Sequence, residues 1–180
     1  MAVFEDALKY VFDHEGGYVN DKDDRGGPTN MGVTLKTAQR HGITTVEALK
    51  AITYQQVVAI YKTDYWRFDG INDQRVATKL FDMAINMGLA MAVKLAQRAC
   101  NGIRKILAVP AFKTLSVDGR YGPLTESAIN SVHPDVLLAR LVAVSVARYK
   151  EIAENDPTQM KFLKGWTARA RRIPGEKLNA

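Results

Sequence analysis

Glu15 stands where an apolar helical pattern gives way to glycine and acid, in the stretch HEGGYVNDKDDRGGPTNMGVT from His14 to Thr34. Phe4, Leu8, Val11 and Phe12 recur at helical spacing and predict an amphipathic helix over 3–15. Glu15 lies eleven residues after Phe4 and seven after Leu8, so it continues the apolar stripe. A carboxyl leaving an apolar face is desolvated, which favours its neutral form. The negative end of a helix dipole pushes the same way. A protonated carboxylic acid can donate to the leaving oxygen of a glycosidic bond. The blander reading of the same geometry is a solvated glutamate at a frayed helix end.

Such an acid needs a second group to stabilise an oxocarbenium-like state or to activate water. Asp21 and Asp24 are the candidate carboxylates, each with the competing reading of a side chain that caps a turn. Gly16, Gly17, Gly26, Gly27 and Gly32 permit a loop that folds back beside Glu15. Tyr18, Tyr65 and Trp66 are candidates to stack on sugar rings, with core packing as the alternative.

Other chemistries fit poorly. Asp21-x-Asp23 followed by Gly26 starts like a calcium loop, but Arg25 and Gly32 stand where ligands are required. His14, His41 and His133 have no metal-ligand spacing, and no metal or other cofactor is expected. Gly26-Gly27 is not a dinucleotide signature, and no Ser/His/Asp elbow appears. Cys100 is alone in the apolar run LAQRAC and reads as a core thiol.

The elements that must position these groups read as mainly α. Thr44-x-x-Glu47 and Thr53-x-x-Gln56 fit capping boxes and predict helices over 45–51 and 54–65. A short helix is expected over 35–41, with short strands around Tyr18-Val19 and Val33. Apolar spacing predicts further helices over 72–87, 90–105 and 123–130. A long, nearly all-apolar helix over 135–154 is placed in the core, and a last helix runs to about 172. Asp118-Gly119 is a hairpin-turn signal.

The bulk numbers suit one compact unit. The chain has 180 residues, 47% hydrophobic and 24% charged, with a formal net charge of +6. The positive charge favours an acidic partner such as nucleic acid, an anionic membrane or a bacterial envelope. The N-terminus MAVFEDALKY lacks the basic start and apolar centre of a signal peptide. The apolar stretch VLLARLVAVSVA is broken by Arg140, so no stable membrane insertion is expected.

Glu15-Gly16-Gly17-Tyr18, Asp21, Asp24, Gly26-Gly27, Thr29-Asn30, Gly32 and Thr34 resemble the signature of glycosyl hydrolase family 108. These are lysozyme-like N-acetylmuramidases found among phage endolysins and secretion-activator proteins. Tyr65-Trp66, Phe81-Asp82, Asn86 and Gly88 resemble the rest of that catalytic segment. Val117-Asp118-Gly119, Gly122-Pro123, Thr125 and Ala128-Ile129-Asn130 are similar to the predicted peptidoglycan-binding segment that follows it, and Phe162-Leu163, Gly165-Trp166 and Arg169 to its end. Lys22 and Arg25 depart from the family, which often has proline there.

The resemblance implies a compact lysozyme-like helical fold with a loop or short β region after the first helix. It implies a catalytic segment over 1–89 and a peptidoglycan-binding segment over 90–180, packed into one unit. It implies Glu15 as catalytic acid. Eight residues separate Glu15 from Asp24 and four separate Asp24 from Thr29. Phage lysozymes order a glutamate, an aspartate and a threonine with one residue more in the second gap, which puts Asn30 at the threonine position. Asp24 is the first choice for the second carboxylate and Thr29 for positioning the water. Tyr18, Asp21, Asn30, Thr34, Tyr65, Trp66 and Asn86 are the expected substrate contacts.

The leading expectation is a peptidoglycan hydrolase acting on glycan strands at the bacterial wall or periplasm. It would be made in the cytoplasm and delivered by a holin or an export route. A wall-binding, secretion-assisting protein with weak or no catalysis is the alternative. Nucleic-acid binding ranks last, because the basic residues are scattered and no recognition motif appears.

Overall fold

The computed structural model describes residues 1–13, 27–107 and 112–176. Among them are nine α-helices and one two-stranded hairpin, so the fold is mainly α, as expected.

Helix α1 (Phe4–Phe12) buries Phe4, Leu8 and Val11 of the predicted stripe together with Ala7, leaves Phe12 half-buried, and closes on Asp13 as C-cap. The expected continuation to Glu15 lies outside the described residues. The hairpin follows, with β1 (Thr29–Asn30) antiparallel to β2 (Val33–Thr34). Its two-residue turn puts both Met31 (φ 48°) and Gly32 (φ 74°) in the left-handed region, as a type I′ turn requires. Glycine meets that demand freely, whereas Met31 is held there by its neighbours, among them the Tyr61 hydroxyl donating to its carbonyl at 2.8 Å.

Thr34 caps α2 (Leu35–Gln39), its hydroxyl accepting from the Thr37 N–H. The next helix, α3 (Val46–Lys50), is capped by Thr45, one residue later than the expected Thr44. The Thr53/Gln56 capping box forms as read and opens α4 (Tyr54–Asp64).

Helix α5 (Gln74–Met87) is capped by Asp73 and buried on every side from Val76 to Ala84. It packs against α1, against α6 (Leu89–Leu107) and against α8 (Pro134–Asn155). It is therefore the central helix. Helix α8, expected in the core, joins it through one stripe, Leu137, Leu138, Leu141, Ser145, Tyr149 and Ala153. The polar Thr78, Lys79 and Asp82 sit among the apolar positions of α5, and each finds its partner inside the protein.

The short α7 (Pro123–Asn130) starts on proline, and a 3-10 turn (Pro157–Gln159) leads into α9 (Met160–Arg171). Asp118-Gly119 makes a turn without flanking strands, correcting the hairpin expectation. The turn is held instead by buried Gln97, which donates to the Asp118 carboxylate at 2.9 Å and accepts from the Gly119 N–H at 3.0 Å. One core cluster runs from Phe4 through Trp66 and Phe81 to Leu137 and Leu141, so both halves of the chain share it.

Candidate active-site cleft

The hairpin, the end of α5 and the helices α8 and α9 enclose a cleft of about 450 Å³. Thr29, Gly32 and Thr34 form one side. Asn86 and Met87 form the floor, where α5 ends at Gly88 with a φ of 81° that glycine adopts without strain. Arg148, Tyr149, Gln159, Trp166 and Arg169 form the opposite wall. Three expected site residues thus come together: Thr29, expected to position the water, and Thr34 and Asn86, expected to meet substrate. A second cavity of about 640 Å³ beside residues 112–127 is lined by none of the expected site residues.

The hairpin register explains the threonine side. Thr29 pairs directly with Thr34, so both lie on one face of the ladder. The Thr29 hydroxyl donates to the Gly27 carbonyl at 3.0 Å, which leaves its oxygen as an acceptor. The Thr34 hydroxyl is committed to α2, accepting from the Thr37 N–H at 3.2 Å and bonding the Thr37 hydroxyl at 3.1 Å.

At the edge of the floor an ion pair joins the buried Asp82 to Arg169 of the wall. The Arg169 guanidinium donates to one oxygen of Asp82 from Nε at 3.0 Å and from Nη2 at 2.9 Å. Asn86 Nδ2 reaches the Asp82 carbonyl at 2.6 Å and the same carboxylate oxygen at 3.4 Å. One turn earlier on α5, fully buried Lys79 donates to the carbonyls of Ala170 at 2.7 Å and Arg172 at 2.8 Å, the last turn of α9. Burial pulls its ammonium down to about 8, partly opposed by the Asp82 charge. Tyr10 of α1 and Tyr149 of α8 sense the same carboxylate. Burial first, and Asp82 second, push both phenols up to about 12, so both stay neutral at physiological pH.

The far wall is aromatic. Tyr149 stacks on Trp166 with ring centroids 5.3 Å apart, and Phe162 stacks on Trp166 at 5.6 Å. Arg148 at the rim is paired with Glu151 at 2.8 Å. The described lining therefore offers hydroxyls, amides, two guanidinium groups and ring surface, and no carboxylate. Such a surface suits an uncharged or weakly acidic polar chain with apolar faces, which describes a glycan.

The other expected site residues fall elsewhere. Glu15, Tyr18, Asp21 and Asp24 lie outside the described residues. Asn30 is buried and donates to the Leu49 and Lys50 carbonyls at 3.0 and 3.1 Å, so it ties the hairpin to α3. Trp66 is 4% exposed, packed edge-on against Phe4, Phe68 and Phe81, with its indole N–H on Asp69 at 2.7 Å. Tyr65 bonds Thr37 through its hydroxyl at 3.2 Å. Neither ring lines the cleft, and Trp66 takes the core role that was the alternative to sugar stacking. Arg148, Tyr149, Gln159 and the Asp82–Arg169 pair were not read as site residues. No local spacing reports them, because they meet the hairpin only through helix packing.

Among the described residues no three His, Cys, Asp or Glu side chains gather to hold a metal, and no single helix is long and apolar enough to cross a membrane.

Residues 8–88 match the family model described as Glycosyl hydrolase 108, and residues 91–171 match the one described as Predicted Peptidoglycan domain. Among solved structures, the structure of Brucella abortus SagA resembles this chain with a TM-score of 0.75 and 32% identity, over 93% of this chain and 88% of that one. No curated protein matches the chain. The cleft straddles the two matches: its hairpin and floor fall in the first, its α8 and α9 wall in the second.

Proposed function

The chain belongs to the glycosyl hydrolase 108 family, with a peptidoglycan-associated segment built into the same fold, and from that premise we propose that it is an N-acetylmuramidase. It cleaves the β-1,4 bond between N-acetylmuramic acid and N-acetylglucosamine, with Glu15 as general acid. The observation that carries this reading is the composition of the cleft. The described lining supplies hydroxyl, amide, guanidinium and ring groups that suit a glycan. The catalytic acids of this reading are those of the family signature, Glu15 with Asp24 or Asp21.

In this mechanism Glu15 protonates the glycosidic oxygen and Asp24, or Asp21 in its place, answers the developing positive charge. Thr29 positions the water. Its own proton is engaged by Gly27, so its oxygen accepts a proton of the attacking water and aims it. Tyr149 and Trp166 line the wall that faces the sugars. Delivery to the wall by a holin or an export route belongs to the same reading.

Release of reducing ends from purified peptidoglycan tests it. Glu15→Gln should lower the rate by about 10²- to 10⁴-fold with an unchanged melting temperature. Hydrolysis by Glu15→Gln at the wild-type rate would sink the assignment. Of Asp24→Asn and Asp21→Asn, the one with the larger fall in kcat at unchanged fold is the partner. The described cleft, rich in binding groups, also favours a second reading, a wall-binding protein without catalysis. Co-sedimentation of wild type with sacculi that stay intact would select it.

A further inference from the structure

Helix α8 turns an apolar side to solvent as well as to the core. Its stretch VLLARLVAVSVA starts at Val136, and Val136, Ala139, Ala143 and Ala147 recur at helical spacing on its exposed face. That face lies opposite Tyr149 and Ile152, which line the cleft. Beside it runs the end of α6, and Ile103, Ile106, Val136, Ala139, Arg140 and Ala143 line a groove of about 270 Å³ between the two helices. Ile106 is 71% exposed and Val136 43%. Apolar side chains this open, gathered in one patch, mark a contact surface. Charge says what kind of partner fits it. Between Asp82 and Asp118 the chain has no acidic residue, and between Asp135 and Glu151 it has none. Arg140 lies over Gly102 of α6, its guanidinium 3.1 Å from where a β-carbon there would stand. Exposed Arg98 and Lys105 flank it on the same side of α6, four residues before Gly102 and three after. Among the described residues none of these three cations has an acidic partner. The acids at the two ends of the stretch are engaged, Asp135 with Arg75 and Glu151 with Arg148, each at 2.8 Å.

We propose that this face docks the protein onto an anionic phospholipid bilayer, with Ile106 and Val136 entering the boundary between headgroups and acyl chains and Arg98, Lys105 and Arg140 meeting lipid phosphates. Apolar side chains ringed by lysine and arginine gain from both the apolar and the charged layer of such an interface. The same charge disfavours the other occupants. A second copy of the chain, docked face to face, would set the three cations against their own likenesses. Duplex DNA would leave the apolar patch against phosphates. The contact is peripheral, since among the described residues no single helix is long and apolar enough to cross a membrane. The cleft opens on the other side of α8, so the bilayer leaves it free. Docking of this kind requires no reaction in the cleft.

The test is co-sedimentation of the full chain with vesicles of phosphatidylcholine alone and of phosphatidylcholine mixed equally with phosphatidylglycerol. Wild type should bind the mixed vesicles and not the neutral ones. Lys105→Gln with Arg140→Gln should weaken binding by about 25-fold, about fivefold for each charge. Lys36→Gln with Lys164→Gln, which lowers the net charge equally from exposed sites on α2 and α9, should weaken it far less. Ile106→Ser with Val136→Ser should weaken it by about tenfold or more at unchanged charge, because these side chains no longer bring apolar area to the interface. Every substituted side chain is exposed, so all variants should keep the wild-type melting temperature. Equal losses in the two charge-matched pairs, binding indifferent to the serine pair, or no binding by wild type overturns the proposal. A dimer that the serine pair breaks would give the face to a second copy, and duplex DNA bound in preference to the mixed vesicles would give it to nucleic acid; either result also overturns it.

Discussion

Lys79→Met is the most informative perturbation of the scaffold, because it replaces a buried cation that ties α5 to α9. Burial lowers the Lys79 ammonium from 10.5 to about 8. Between those values the unfolded chain carries a proton that the folded chain has lost. The unfolded state then binds more protons, so stability rises with pH across this window. Integrating the two titrations from pH 7 to pH 9.5 gives a gain of about 2 kcal/mol from Lys79 alone, and about 3 kcal/mol over the whole window. The contacts survive the titration, since a neutral amine still has N–H groups for both carbonyls. The phenols and the Cys100 thiol, whose ionisation burial suppresses, act in the opposite sense at the upper end, and they are common to both proteins. Urea unfolding of wild type and Lys79→Met at both pH values isolates the lysine. The stability of wild type relative to Lys79→Met should grow by about 2 kcal/mol on going to pH 9.5. A difference that stays flat or shrinks would refute the assignment of a desolvated, titrating lysine at this joint.

Two further outcomes follow from the same interior. Arg169→Met should destabilise the fold by about 3–5 kcal/mol, measured by urea unfolding, because Asp82 is 5% exposed and its charge would lose its guanidinium partner. Cys100 should resist a thiol-specific disulfide reagent at pH 8 in the native protein and react fully in denaturant, since it is completely buried and its thiol is pushed up to about 12 by desolvation.

The sequence carried the helices well because their signals are local. The Thr53 capping box, Pro123 at a helix start and the stripe of α1 each need only a few neighbouring residues to be read. The cap on α3 slipped from Thr44 to Thr45 because adjacent threonines offer the same hydroxyl. The order of burial was harder. Lys79 and Asp82 look like a polar face until their partners on α9 are known, and those partners lie about ninety residues away. The cleft shows the same division. Thr29, Thr34, Asn86, Asp82 and Arg169 all stand in the family signature, whereas the pairing of Asp82 with Arg169, and Tyr149 beside them, enter through packing between distant helices. Trp66 is the converse case: an aromatic beside a tyrosine reads equally as sugar platform or core, and only its edge contacts with Phe4 and Phe81 decide.

The two bonds from Lys79 to the end of α9 have a consequence for inheritance. They place a stretch of the first matched segment inside the second, so the seam at residues 89–90 is a seam in sequence only. A recombination event that exchanged one segment for a relative's would have to meet the Lys79 ammonium with two carbonyls, and the Asp82 carboxylate with a guanidinium, from the other segment. Intermediates with one partner missing would bury an unanswered charge. Lineages of this fold should therefore pass on both segments as one heritable block, and chimeras cut at that seam should be selected against before their wall-directed activity is ever exposed to selection.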